Sequence, residues 1–364
     1  MTSNRGYPWP NWGWAAAIGA VGAVLWAIGW AVDPASRVLG AWLAAFVFWL
    51  GLPLGALGIV MIHDLAGGAW GDVLRRPLGS IAAILPIFAL LAVPILIGLP
   101  ALYPWARGDG SATPSTPGNA WYLNPVFFVL RTAIYFAIWI ALEFMVRRPR
   151  GSGRGVRIAV PGVILFALTV TFASVDWLSS LDPGFSSSAY GMMVGAGILL
   201  SGLAAAVLIA VRHVSDPRAL ASCGNLLMTG ILVWAYVVFM QFLIVWEENL
   251  ADEVPWYLRR FGHGWDRLAL AVVVGHFALP FMLLLWRRVK SSRTGLAVVC
   301  AILLVAHLLD VWWLVLPDLV PSAGLGWGAP SAVLAIGGAA FAFGIWREGR
   351  AASDGHLAAV AGHG

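Results

Sequence analysis

The residues able to do chemistry are few, and most of them sit inside long apolar runs. An ionisable side chain in hydrocarbon costs roughly 3 kcal/mol or more unless it is paired or hydrated, so each is a functional candidate by default. In the run 125–146, Arg131, Tyr135, Trp139 and Glu143 follow one another at i+4 spacing, which lines them along one helix face. Two readings stand open for that stripe: a proton or quinone-facing line, or Arg131 and Glu143 each snorkelling to its own interface. His307 and Asp310 are three apart and share a face of the run 295–316. An imidazole beside a carboxylate suits a proton relay, and suits a purely structural hydrogen bond equally well. His276 occupies the middle of the run 267–286. Opposite His307 it would complete a bis-imidazole haem pair, although one histidine per helix is a weak signal for haem.

Further carboxylates gather where apolar runs end. Gln241, Glu247 and Glu248 close the run 222–246, and Asp252 and Glu253 follow before VPWYLRRFGHGW. Such a cluster suits proton exit, a partner contact or simply a solvated acidic loop. Asp176 and Asp182 in SVDWLSSLDP follow the run 158–174, and Asp182-Pro183 is also a turn signal. Elsewhere His63 and Asp64 open the segment HDLAGGAWGDVLRRP, which lacks the GxxxxGK[ST] phosphate-loop pattern. Cys223 and Cys300 are far apart and show no CxxC, CxxCH or Cys/His spacing, so no iron-sulfur cluster, covalent haem c or zinc is expected on this chain.

The elements that must position these groups are membrane helices. The chain has 364 residues, of which 60% are hydrophobic and only 11% charged, with a mean hydropathy of +0.84. Water could not solvate so much hydrocarbon, which excludes a secreted disulfide module, a disordered chain and a conventional soluble enzyme. Ten runs are long enough to cross the bilayer: 14–32, 38–62, 79–99, 125–146, 158–174, 188–211, 222–246, 267–286, 295–316 and 329–346. The expected fold is an all-α integral membrane protein with a short N-terminal segment (1–13), a polytopic domain (14–346) and a C-terminal tail (347–364). An even count puts both termini on one side.

Lysine and arginine test that count, because short cytoplasmic loops retain positive charge. Sixteen fall on the side of the termini and five on the other, with Arg131 inside a span, so both termini are expected in the cytoplasm. The net charge of +5 is then an orientation signal and not a nucleic-acid footprint. Arg5 precedes a first run without a small-residue cleavage site, which is read as retained. Many of the 21 tryptophans, including Trp9, Trp12, Trp14, Trp30, Trp70, Trp121, Trp246 and Trp256, fall near run ends, where amphipathic indoles anchor at headgroup level.

The stretches HDLAGGAWGDVLRRP, SVDWLSSLDPGFSSSAYG and ENLADEVPWYLRRFGHGWDRLALAVVVGHFALPFMLLLWRRVK, continuing to HLLDVWWLVLP, cover most of residues 63–317. In them the sequence resembles the second quinone-binding-type membrane subunit of bacterial alternative complex III, a quinol:electron-acceptor oxidoreductase, within the NrfD/polysulfide-reductase-like membrane family. The resemblance implies ten spans built as two four-helix bundles plus two extra helices in a bacterial inner membrane. It also implies a sister NrfD-like membrane subunit, a multihaem cytochrome c and an iron-sulfur subunit as partners, which hold the haem and the clusters. Quinone or quinol is the implied small molecule, and no metal is implied on this chain. A polar path through Asp176, Asp182, Glu247, Glu248, His276, His307 and Asp310 is what carries over residue by residue.

On this reading the chain is a membrane subunit of a quinol-oxidising complex, probed above all at its buried ionisable groups, and not an enzyme alone. Two rivals remain. A secondary transporter would show inverted repeats, broken helices and a midplane site, and Pro86, Pro94 and Pro280 do interrupt spans, but the halves share no clear similarity. A purely structural anchor differs only in that its polar residues would not matter.

Overall fold

In hydrocarbon the backbone must satisfy its own N–H and C=O groups, which leaves a polytopic apolar chain little choice but helices. The computed structural model describes residues 12–107, 121–147, 154–249, 251, 253–320, 322–324 and 326–361, and among them every regular element is helical. Arg5, Trp9, Asp252 and residues 148–153 lie outside the described residues. In chain order the elements are α1 (Trp12–Gly29), α2 (Ala35–Ala66), α3 (Trp70–Ala82), α4 (Ile87–Leu91), α5 (Val93–Ile97), α6 (Leu99–Leu102), α7 (Pro125–Arg147), α8 (Arg154–Trp177) and α9 (Tyr190–Ala210). They continue as α10 (Pro217–Glu248), α11 (Val254–Arg260), α12 (Trp265–Val272), a π-helical segment (Val273–Ala278), α13 (Leu279–Leu285), α14 (Arg287–Lys290), α15 (Arg293–Val315) and α16 (Gly328–Ala361).

Nine helical segments among the described residues are long and apolar enough to span, and α3 with α4–α5 makes a tenth that is bent by 41°. The third run therefore starts earlier than the 79–99 expected, and the interruptions expected at Pro86 and Pro94 are present. It begins at Trp70 and is chopped into α3 to α6, because Pro86, Pro94 and Pro100 each remove a backbone donor and crowd the preceding turn. The final helix runs unbroken past Arg347, so the tail is helical as far as Ala361.

The spans form two bundles that share the α2–α9 contact. In the first, α3, α7 and α8 pack on α2; in the second, α10 and α15 pack on α9, while α12, the π segment and α13 pack on α15, the last two also on α10; α3 and α8 also touch α9. Helices α2 and α9 form the spine between them and are the most buried spans, while α1 pairs with α16 against the outside of α2. The spine closes tightly at Gly55 and Gly202, where a Cβ on either residue would collide with the backbone of the other helix. Two polar ties mark the two ends. At one, Arg347 of α16 bonds both oxygens of Glu143 at 3.3 Å and the carbonyl of Ala83, while Arg147 also reaches Glu143 at 3.3 Å. At the other, Arg259 pairs with Asp182 and with Asp318 at 3.4 Å.

Tryptophan divides by depth. Trp12, Trp14, Trp30, Trp121 and Trp246 are exposed, as interfacial anchors would be. Trp256 is not an anchor: it is buried, with the Arg260 guanidinium 3.5 Å above its ring.

Candidate functional site

Two of the buried polar clusters have opposite character. In the first bundle the i+4 stripe of α7 faces α8. Arg131 meets Asp176 in a bidentate pair, with both N–H···O distances at 2.8 Å, and spends a third donor on the Tyr122 carbonyl at 2.8 Å. Tyr135 donates to the same carboxylate at 2.6 Å, so Asp176, which is 0% exposed, is surrounded by donors. One turn further along, Trp139 donates to Thr169 at 2.8 Å, and Trp177 donates to Thr132 at 3.2 Å. The cation also lies over the rings of Tyr122 (3.8 Å) and Phe127 (4.4 Å). Outside the spans, burial and the Asp176 charge push the Tyr122 phenol up to about 12, and the same two causes raise Tyr103. Tyr103 accordingly stays protonated and donates to the Trp177 carbonyl at 3.0 Å. A buried pair with this geometry and all these donors is electrically closed.

The second bundle holds the opposite case. His276 sits in the π-helical segment because Pro280, four residues on, has no N–H to give the His276 carbonyl and crowds it, so the chain widens to an i→i+5 turn there. The Leu279 N–H bonds Val274 in that wider register. The widened turn directs the His276 ring inward, where it stacks on His307 of α15 with ring centroids 5.6 Å apart and planes inclined by 28°. Trp234 of α10 approaches His276 edge-on at 4.2 Å, and Phe48 of α2 lies 5.9 Å from His307. Both imidazoles are buried, at 0% and 3% exposure, and none of their four ring nitrogens has a hydrogen-bond partner among the described residues. Asp310 is near but not bonded: His307 Nδ1 is 3.9 Å from Asp310 Oδ2. The Trp234 indole N–H makes no hydrogen bond of ordinary geometry and lies within electrostatic reach of that carboxylate.

Buried polar atoms are normally paired. Among the described residues, His276 and His307 contribute four of the ten buried side-chain N and O atoms without a partner, more than any other pair of neighbours. The packing argues against the haem considered for this place. Near-parallel rings with centroids 5.6 Å apart, flanked by Trp234, Phe48, Gly51 and Gly197, do not point two nitrogens at one iron across a porphyrin. Among the described residues no three His, Cys, Asp or Glu side chains converge as a metal set.

The other candidates are scattered. Asp182 joins Arg259 at one end of the molecule, beside Asp318, whose oxygens also hold the fully buried Arg260 at 2.5 and 3.2 Å. Glu247 and Glu248 are exposed on the last turn of α10, while Gln241 links Ser187 (2.6 Å) to Glu253 (3.1 Å). Glu143 belongs to the tie at the opposite end, where Asp64 also bonds Arg75 at 2.9 Å and His63 contacts the Gly68 carbonyl at 3.1 Å. Sequence reasoning missed the Arg260–Asp318 pair, Trp234 and the two glycines beside His307. For Trp234 a signal existed, since its indole lies in mid-run and not at an end.

No protein-family model matches the sequence, and no curated protein matches it significantly.

Proposed function

We propose that this chain is a membrane subunit of a quinol-oxidising respiratory complex of the alternative complex III type, and that its own contribution is proton transfer through the second bundle. The observation that carries the proton role is the buried pair His276–His307 with four unpartnered ring nitrogens beside Asp310. An imidazole exchanges protons near neutral pH and can accept a proton at one nitrogen while releasing one from the other. The respiratory assignment rests on the resemblance of residues 63–317, and with it come the sister membrane subunit, the multihaem cytochrome c, the iron-sulfur subunit and a bacterial inner membrane with both termini in the cytoplasm. In this assignment quinol is oxidised elsewhere in the complex. His276, His307 and Asp310 take up, hold and pass protons, while Arg131, Asp176 and Tyr135 hold the first bundle together.

Two experiments test this. Affinity purification from the native membrane in mild detergent should recover cytochrome and iron-sulfur subunits in stoichiometric amounts. His307→Leu should leave that assembly intact and lower proton-coupled quinol turnover at least tenfold. A transporter is the second reading, favoured by the broken third span and the π segment. Recovery of the chain alone would favour it.

A further inference from the structure

The His276 and His307 rings lie within 28° of parallel with centroids 5.6 Å apart, and no hydrogen bond joins them. His307 Nδ1 is also about 1 Å too far from Asp310 for a hydrogen bond, so neither transfer geometry is made. Something must move. The space for movement lies around His307: Gly51 of α2 and Gly197 of α9 flank its ring, where a Cβ on Gly197 would stand 3.2 Å from Cε1 and 3.5 Å from Nδ1, and one on Gly51 would stand 3.6 Å from Nε2.

Resting on the proton-transfer reading above, we infer that His307 is a rotor: its imidazole swings between the His276 stack and a hydrogen bond to Asp310, in clearance kept by Gly197 and Gly51. Rotation about χ2 of a histidine meets only a broad, shallow torsional barrier, so steric clearance decides whether it occurs. In the second position the Nδ1–H bond of a protonated His307 breaks, the proton bonds to the Asp310 carboxylate, and a neutral imidazole and a carboxylic acid remain. The charges +1 and −1 become zero and zero, so no net charge is created in the low-dielectric interior. Gly197 is a positioning residue in this scheme, since it touches the moving ring and exchanges no proton.

The test uses the purified complex in lipid bilayers with 15N-histidine in this chain, and His307 is assigned by its loss in His307→Leu. Wild-type His307 should show two exchanging ring environments. Gly197→Ala should show one, with turnover down at least tenfold and with assembly and thermal stability unchanged. Gly195→Ala, whose new Cβ meets only Val170 at an ordinary 3.8 Å, should behave as wild type. A single static ring in the wild type overturns the rotor even if Gly197→Ala does not fold. Loss of turnover in His307→Leu with full turnover in Gly197→Ala overturns the rotor alone. Full turnover in His307→Leu removes the proton role and the rotor with it.

Discussion

The two bundles place ionisable groups in the same solvent-free setting and resolve them in opposite ways. In the first, the Asp176 carboxylate takes three donors from Arg131 and Tyr135 and keeps nothing free for chemistry. In the second, none of the four ring nitrogens of His276 and His307 has a hydrogen-bond partner among the described residues. Burial alone therefore does not identify a working group. What distinguishes the two is whether the polar atoms are already spent.

That contrast predicts opposite responses to removing the groups. The largest effect should come from Asp176→Leu, which strands the Arg131 guanidinium in the bundle. It should destabilise the protein by roughly 3–5 kcal/mol, read as an early thermal unfolding transition in detergent. Adding Arg131→Met should restore most of the loss, because an apolar pair has nothing left unpaired. Tyr135→Phe removes one hydrogen bond to a charged acceptor and should cost about 1.5–3 kcal/mol by the same assay. In the second bundle His276→Leu should shift stability by less than about 1 kcal/mol or raise it, since orphaned donors and acceptors disappear, while turnover falls. Glu247→Gln, on the exposed last turn of α10, should stay within about 0.5 kcal/mol of wild type and keep its turnover. A destabilised His276→Leu or a stable Asp176→Leu would erase the distinction between the bundles.

The spans were legible in the sequence because hydropathy and loop charge act locally. The ten runs reappear as nine long helices and one bent pair among the described residues. In the third span the interruptions at Pro86 and Pro94 were legible, but its start at Trp70 was not, because the segment Trp70–Ala82 carries Asp72, Arg75 and Arg76 and does not read as an apolar run. The stripe from Arg131 to Glu143 was visible as a face, but the partners that close it were not. Asp176 lies 45 residues from Arg131, and nothing in spacing pairs them. Arg259 and Arg260 were visible only as loop charges, whereas Arg260 is fully buried between Asp318 and three backbone carbonyls. Sequence position likewise offered His276 and His307 as a facing pair across two helices, but not their near-parallel arrangement. The stacking depends on a π turn set by Pro280 and on Gly51 and Gly197 arriving from two other helices.

The most direct test of the central claim compares Asp176→Asn and His307→Leu side by side in the purified complex, each scored for thermal stability and for protons moved per quinol oxidised. The account predicts that Asp176→Asn lowers stability and leaves the proton ratio of the surviving complex unchanged, while His307→Leu leaves stability unchanged and lowers the ratio. An unchanged proton ratio in a stable His307→Leu complex would contradict it.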